Sequence, residues 1–157
     1  MLATYAGASG ARRSMINWLT EVVGSREQAQ DLFDRMKPTQ PDAESYLCRQ
    51  GDPTDSLLLI ERGPVSVTLT RAGQPDLRVR AFGAHTLVGE IGFFLDVPRS
   101  ANLLAGPGAI VWSLSRPAFE AFKQAHPAQA LALTIYVIRL QSERLTFANR
   151  QIASLQR

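Results

Sequence analysis

The stretch Val88-Gly89-Glu90-Ile91-Gly92-Phe93-Phe94-Leu95-Asp96-Val97-Pro98-Arg99-Ser100-Ala101 does not read as ordinary strand and turn. A glycine precedes an acid, a short apolar helical turn follows, and an arginine closes the segment ahead of two small residues. Glycine lets backbone N–H groups come close to a ligand. The first turn of a helix leaves N–H donors unpaired, which favours an anion. An arginine fork can then close on a phosphate through two parallel hydrogen bonds. A carboxylate in the same place would repel a bare phosphate unless it accepts hydrogen bonds from neighbouring hydroxyls, as ribose would offer. Anion donors beside one hydroxyl acceptor describe a sugar-phosphate site. The same residues also fit a surface turn closed by a Glu90–Arg99 ion pair.

Outward from this segment the periodicities divide the chain into three zones. Residues 14–37 read as helices. Ile16, Leu19 and Val23 recur at helical spacing before Gly24, and Ser25 with Gln28 has a capping-box pattern ahead of an Ala29, Leu32, Phe33 and Met36 stripe. Pro38 and Pro41 are expected to end that helix. Residues 44–115 carry short β-rich runs, notably Ser56 to Ile60, Val65 to Thr70, Leu77 to Phe82 and Ile110 to Leu114, separated by Gly- and Pro-containing turns. That spacing predicts a small sandwich, roll or barrel. Residues 116–157 read as helical again: Ser115 is a favourable N-cap before Arg116-Pro117, and His126-Pro127 separates a short helix from a long one. Residues 1–13, small and then basic, read as a linker or cloning remnant and lack the order of charges and apolar residues a secretory signal needs.

Gly89-Glu90, the short helix, and Arg99-Ser100-Ala101 nine residues after the acid resemble the phosphate-binding cassette of cyclic-nucleotide-binding domains. The resemblance extends over about Leu32 to Asn149. It includes Arg49-Gln50-Gly51-Asp52-Pro53-Thr54-Asp55-Ser56, similar to the family's early hairpin, and Ile60-Glu61-Arg62-Gly63 with Val65-Ser66-Val67, similar to the strand turn that follows. It implies an α+β fold: an eight-stranded antiparallel β-roll flanked by N-terminal helices and a long C-terminal helix lying over the ligand. By matching position it also implies that Glu90 accepts the ribose 2′-hydroxyl and Arg99 pairs with the cyclic phosphate. Backbone N–H groups at Gly89, Ser100 and Ala101 would help, with Ile91 in the same cassette turn. Val79 and Phe82 match positions lining the base pocket, though a plain core role suits them equally. Arg144 falls where the long helix caps the base, in position for a cation–π contact. The chain departs from the pattern at Phe82-Gly83-Ala84-His85, where the family has a second turn glycine. His85 is expected there with positive φ, which histidine tolerates better than a β-branched residue.

The implied ligand is cAMP or cGMP, and Ser100 does not choose between them; no metal or other cofactor is expected. Net charge is +3 over 157 residues, too slight and scattered for a nucleic-acid surface. The single cysteine, Cys48, excludes a disulfide within one chain and suits a reducing cytoplasm. No nucleophile–base arrangement, acid–base pair or metal cluster predicts an enzyme. Along the last helix Leu131, Ile135, Ile138, Ser142, Leu145, Asn149 and Ile152 form one stripe in steps of four and three, a candidate homodimer seam. Leu133, Val137, Leu140, Arg144 and Phe147 form a second. The run from Arg144 to Ala153, with Trp18-Leu19-Thr20 and Val23-Gly24-Ser25, resembles the cytoplasmic cyclic-nucleotide domains of some bacterial SulP-type anion transporters. The chain is thus expected to be a ligand sensor that moves its C-terminal helix to regulate an attached or partner module. The alternative is a degenerate fold serving only for interaction or dimerisation. A catabolite-activator-type regulator would need a helix-turn-helix after the long helix, and none precedes Arg157.

Overall fold

A computed structural model describes residues 8–156. Two helices, α1 (Ala8–Val23) and α2 (Arg26–Asp34), lead into strands β1 (Lys37–Thr39), β2 (Tyr46–Cys48), β3 (Ser56–Arg62), β4 (Val65–Arg71), β5 (Gln74–Phe82) and β6 (Thr86–Val88). The short helix α3 (Glu90–Leu95) precedes β7 (Asn102–Ala105) and β8 (Ile110–Ser115), and α4 (Arg116–Ala125) and α5 (Pro127–Leu155) complete the chain. The strands form two four-stranded antiparallel sheets, ordered β1-β8-β3-β6 and β2-β7-β4-β5. This is the expected α+β roll with flanking helices. The α3 segment joins the edge of one sheet, β6, to an inner strand of the other, β7.

Strand β3 shows why the roll forms. Leu57, Leu58, Leu59 and Ile60 are consecutive and all buried. Alternation sends Leu57 and Leu59 into the core shared with the helices, and Leu58 and Ile60 into the core between the sheets. A run that is apolar on both faces therefore belongs to a strand covered on both faces. The helical core holds Met15, Leu19, Phe33, Trp112, Phe122 and Leu133; Val65, Val88, Leu103 and Val111 belong to the inter-sheet core.

Three expectations need correction. Ala8–Arg13 are helix rather than linker: Arg12 Nη2 lies 2.6 Å from Asp34 Oδ1 and its guanidinium 5.3 Å from the Phe33 ring centre, tying the start of α1 to α2. Residues 1–7 lie outside the described residues. The roll begins earlier than residue 44, because Lys37–Thr39 pair with Ser113–Val111. Pro38 is tolerated there because β1 is an edge strand and needs no second set of ladder donors. Ser25 does N-cap α2, but its hydroxyl bonds the Gln28 side chain instead of a backbone N–H, so no capping box closes. Ser115 caps α4 as expected, its hydroxyl accepting from the Ala118 N–H at 3.2 Å.

Helix α5 has 29 residues, of which only Ala130, Leu133 and Val137 are buried. Its first half packs on α1 and α4, and its second half extends over the roll. Among the described residues no helix is long and apolar enough to cross a membrane.

Candidate functional site

The α3 segment starts at a glycine that nothing else could replace without strain. Gly89 is the N-cap of α3 with φ +75°, and a Cβ there would run into the Arg99 guanidinium. The segment therefore brings its own arginine back against its first residue. Arg99 is buried and donates from Nη1 to Gly89 O at 3.1 Å and from Nη2 to Ser56 Oγ at 3.3 Å, with Asp55 Oδ1 3.7 Å away. Its Nε is buried and has no hydrogen-bond partner among the described residues. The Arg49–Ser56 motif supplies the frame. Arg99 N donates to Asp52 O, Gly51 N to Arg99 O, and Thr54 Oγ1 to Val97 O, each at 2.8 Å. The two motifs are remote in sequence and bonded in space.

Glu90 opens α3 and is buried, with 6% of its surface exposed. It does not pair with Arg99. Its partners come from α5: Arg144 Nη1 donates to Glu90 Oε1 at 2.6 Å, and Gln141 Nε2 donates to the same oxygen. Arg144 also donates from Nη2 to Leu87 O at 2.7 Å and to Thr86 Oγ1 at 3.3 Å, with its guanidinium 4.3 Å from the Phe82 ring centre. Arg144, the arginine expected near the base, is held against the roll by the Glu90 carboxylate, the Leu87 carbonyl and the Phe82 ring.

A cavity of about 600 Å³ lies between the α3 segment, strands β4, β5 and β7, and the second half of α5. All nine sequence-predicted residues line it: Val79, Phe82, Gly89, Glu90, Ile91, Arg99, Ser100, Ala101 and Arg144. Sequence reasoning missed Cys48, Arg80, Gln141 and Gln151, which line it too. Gln141 and Gln151 had a readable signal: with Val137, Arg144 and Ala148 they recur in steps of three and four, which puts them on the helix face that meets the roll. Arg80 had none, since its place depends on stacking between Phe82 and Phe147, whose ring centres lie 4.8 and 4.7 Å from its guanidinium. Three arginines against one glutamate make the lining cationic, and its walls are mostly apolar. Such a cavity suits a flat ring system carrying an anion. Among the described residues no cluster of three or more His, Cys, Asp or Glu side chains could hold a metal.

His85, at the departure from the resemblance, has φ +59° as expected. Its Nε2 lies 2.8 Å from Ser14 Oγ and its ring stacks on Trp18, so the turn before β6 leans on α1.

Comparison with known proteins gives this geometry a family. The chain is 25% identical to a cyclic nucleotide-binding domain from Methylobacillus flagellatus, with a TM-score of 0.80 over 92% of this chain and 85% of that one. It is 26% identical to a cAMP-dependent protein kinase regulatory subunit of Blastocladiella emersonii, over 66% of this chain and 26% of that protein. It is 34% identical to the acetyltransferase Pat of Mycolicibacterium smegmatis, over 62% of this chain and 29% of that protein. The chain thus spans under a third of the length of either curated relative. Residues 40–126, more than half of the chain, match the family described as Cyclic nucleotide-binding domain, and the chain belongs to that family.

Proposed function

We propose that this domain senses a cyclic nucleotide in the cavity under α5. Glu90 accepts the ribose 2′-hydroxyl, and Arg99 holds the cyclic phosphate with backbone N–H groups of Gly89, Ser100 and Ala101. Ile91, Val79 and Phe82 contribute apolar walls for ribose and base. The observation that carries this reading is the buried pair of opposite charges at the two ends of one short segment, each left with capacity to spare. Arg99 Nε is an orphaned buried donor that a phosphate oxygen would satisfy. A purely structural domain has no need to bury both charges apart from each other. The Blastocladiella relative is named for cAMP, which makes cAMP the first ligand to test and cGMP the second. Ligand under α5 changes the helix position through its differential affinity for the two placements, and an attached or partner module reads that change. The likeness of the Arg144–Ala153 run to transporter-linked domains supports a cytoplasmic module on an anion transporter. Calorimetry with both nucleotides tests the reading. Micromolar or tighter binding is expected, and Arg99→Ala should weaken it about 100-fold, the scale of losing charge-assisted hydrogen bonds from a buried site. Absence of binding at millimolar nucleotide, or binding indifferent to Arg99→Ala, would overturn it.

One further reading has its own observation. Leu131, Ile135, Ile138, Leu145 and Ile152 are 60, 41, 60, 63 and 56% exposed, and together with Ser142 and Asn149 they recur in steps of four and three along α5. Such a seam fits a second copy of the same helix. Leu145→Glu should convert a sedimenting dimer to monomer; a wild-type chain that is monomeric at all concentrations excludes it. A nucleotide-independent dimer without affinity for cAMP or cGMP would favour the fold as an interaction module.

A further inference from the structure

Glu90 has two oxygens, and α5 uses one. Arg144 Nη1 and Gln141 Nε2 both converge on Oε1, and among the described residues no hydrogen bond reaches Oε2, although Glu90 lines the cavity. The Glu90 side chain is 7% exposed and that of Arg144 14%. A carboxylate so buried is costly without an opposite charge beside it. Arg144 supplies that charge and is itself fixed on three other sides, by Leu87 O, Thr86 Oγ1 and the Phe82 ring. The carboxylate is therefore clamped in rotation by one oxygen while the other keeps its full acceptor capacity.

We infer that Arg144 is a positioning residue for ribose recognition: by holding Oε1 it turns Oε2 of Glu90 toward the 2′-hydroxyl. The inference rests on the cyclic-nucleotide reading of the cavity and adds to it a different role for the arginine than a cap on the base. It also makes the hydroxyl the group through which the ligand senses α5. With the second half of α5 lifted away, Glu90 loses Arg144 and Gln141 together, and the acceptor is neither charged at low cost nor aimed. Nucleotides that use the hydroxyl then favour the docked helix, and nucleotides that lack it do so less. A base-capping arginine would behave otherwise, since its loss would weaken hydroxyl and deoxy ligands alike.

The test compares cAMP with 2′-deoxy-cAMP by calorimetry on the wild type, Arg144→Gln and Arg144→Lys; if only cGMP binds, the cGMP pair replaces them. The wild type should prefer the hydroxyl ligand by about tenfold or more, the factor carried by a hydrogen bond to a charged group. In Arg144→Gln that preference should fall below about threefold while affinity for the deoxy ligand stays close to wild type, which also reports an intact fold. Arg144→Lys, which restores the charge, should recover most of the preference. Parallel weakening of both ligands, or an unchanged preference in Arg144→Gln, overturns the inference and leaves the cavity reading standing. A wild type that binds both ligands equally overturns the ribose assignment of Glu90, and one that binds neither overturns the cavity reading itself.

Discussion

Arg99 stands where two motifs meet. Its backbone is pinned by Gly51 and Asp52, its guanidinium by Gly89 and Ser56, and it shares the cavity with a thiol. Cys48 lines the same cavity, with Sγ 3.9 Å from Ala101 O. Burial pushes its thiol above the ordinary value of 9.0, and the positive charge of Arg99 opposes that push without cancelling it. The thiolate is the nucleophile, so the raised value leaves little of it at neutral pH. Iodoacetamide should therefore label Cys48 more slowly at pH 7 than a small free thiol, with the rate still climbing above pH 9. Bound cyclic nucleotide should slow labelling further, since the ligand occupies the space in front of the sulfur. Mass spectrometry of the Cys48 peptide follows the rate, with Cys48→Ser as the blank; rapid labelling at pH 7 that ignores ligand would refute both statements.

At the scale of elements, what the sequence made legible follows from how local each signal is. The long strands β3, β4, β5 and β8 were readable because their apolar runs are bounded by turns such as Ala72–Gly73. The three-residue strands β1, β2 and β6 and the four-residue β7 were not. A strand that short is fixed by the ladder it joins rather than by its own pattern: Lys37–Thr39 pairs with β8 from far along the chain. Helix ends behaved the same way. Ser115 and Pro117 act on the backbone next to them, and the cap formed as read. Ser25 faced a nearby glutamine amide that competed for its hydroxyl. In the site, every cavity-lining residue of the Gly89–Ala101 segment except Gly92 was legible, because the glycine, acid and arginine that shape it are close together in sequence. The residues that close the cavity from above depend on where α5 lies. Arg144 was seen, but its partner was not, since the Glu90–Arg144 contact needs α5 docked on the roll.

Over the whole molecule, the helices are held at two levels, one of which also joins them to the roll. One is the apolar core that holds Phe33, Trp112 and Phe122 together with Leu57 and Leu59 of β3. The other is polar and sits at the junction of α4 and α5. His126, between those helices, lies with Nε2 2.9 Å from Asp31 Oδ2 on α2, and Arg35 Nη2 reaches the same oxygen at 3.1 Å. This ties the start of α5 to the N-terminal helices while Arg144, further along α5, pairs with Glu90. Burial by itself would raise the Asp31 carboxyl, but hydrogen bonds and charge from Arg35 and His126 outweigh it and hold the group below its ordinary 3.8. A carboxyl lowered in the fold stabilises it fully above that ordinary value and ceases to do so as pH falls through the lowered one. The Asp31 side chain is 38% exposed, so solvent screens the pairing and its worth is that of a partly exposed ion pair. Asp31→Asn should therefore cost about 0.5–1 kcal/mol at pH 7, a fall in Tm of about 2–4 °C for the larger figure. The two proteins should converge only below pH 3.8, where the wild-type carboxylate also takes up its proton. Thermal melts of both from pH 7 down to pH 2.5 measure the gap. A gap that stays constant across that range would mean that Asp31 holds the start of α5 by shape and hydrogen bonding alone, without its charge.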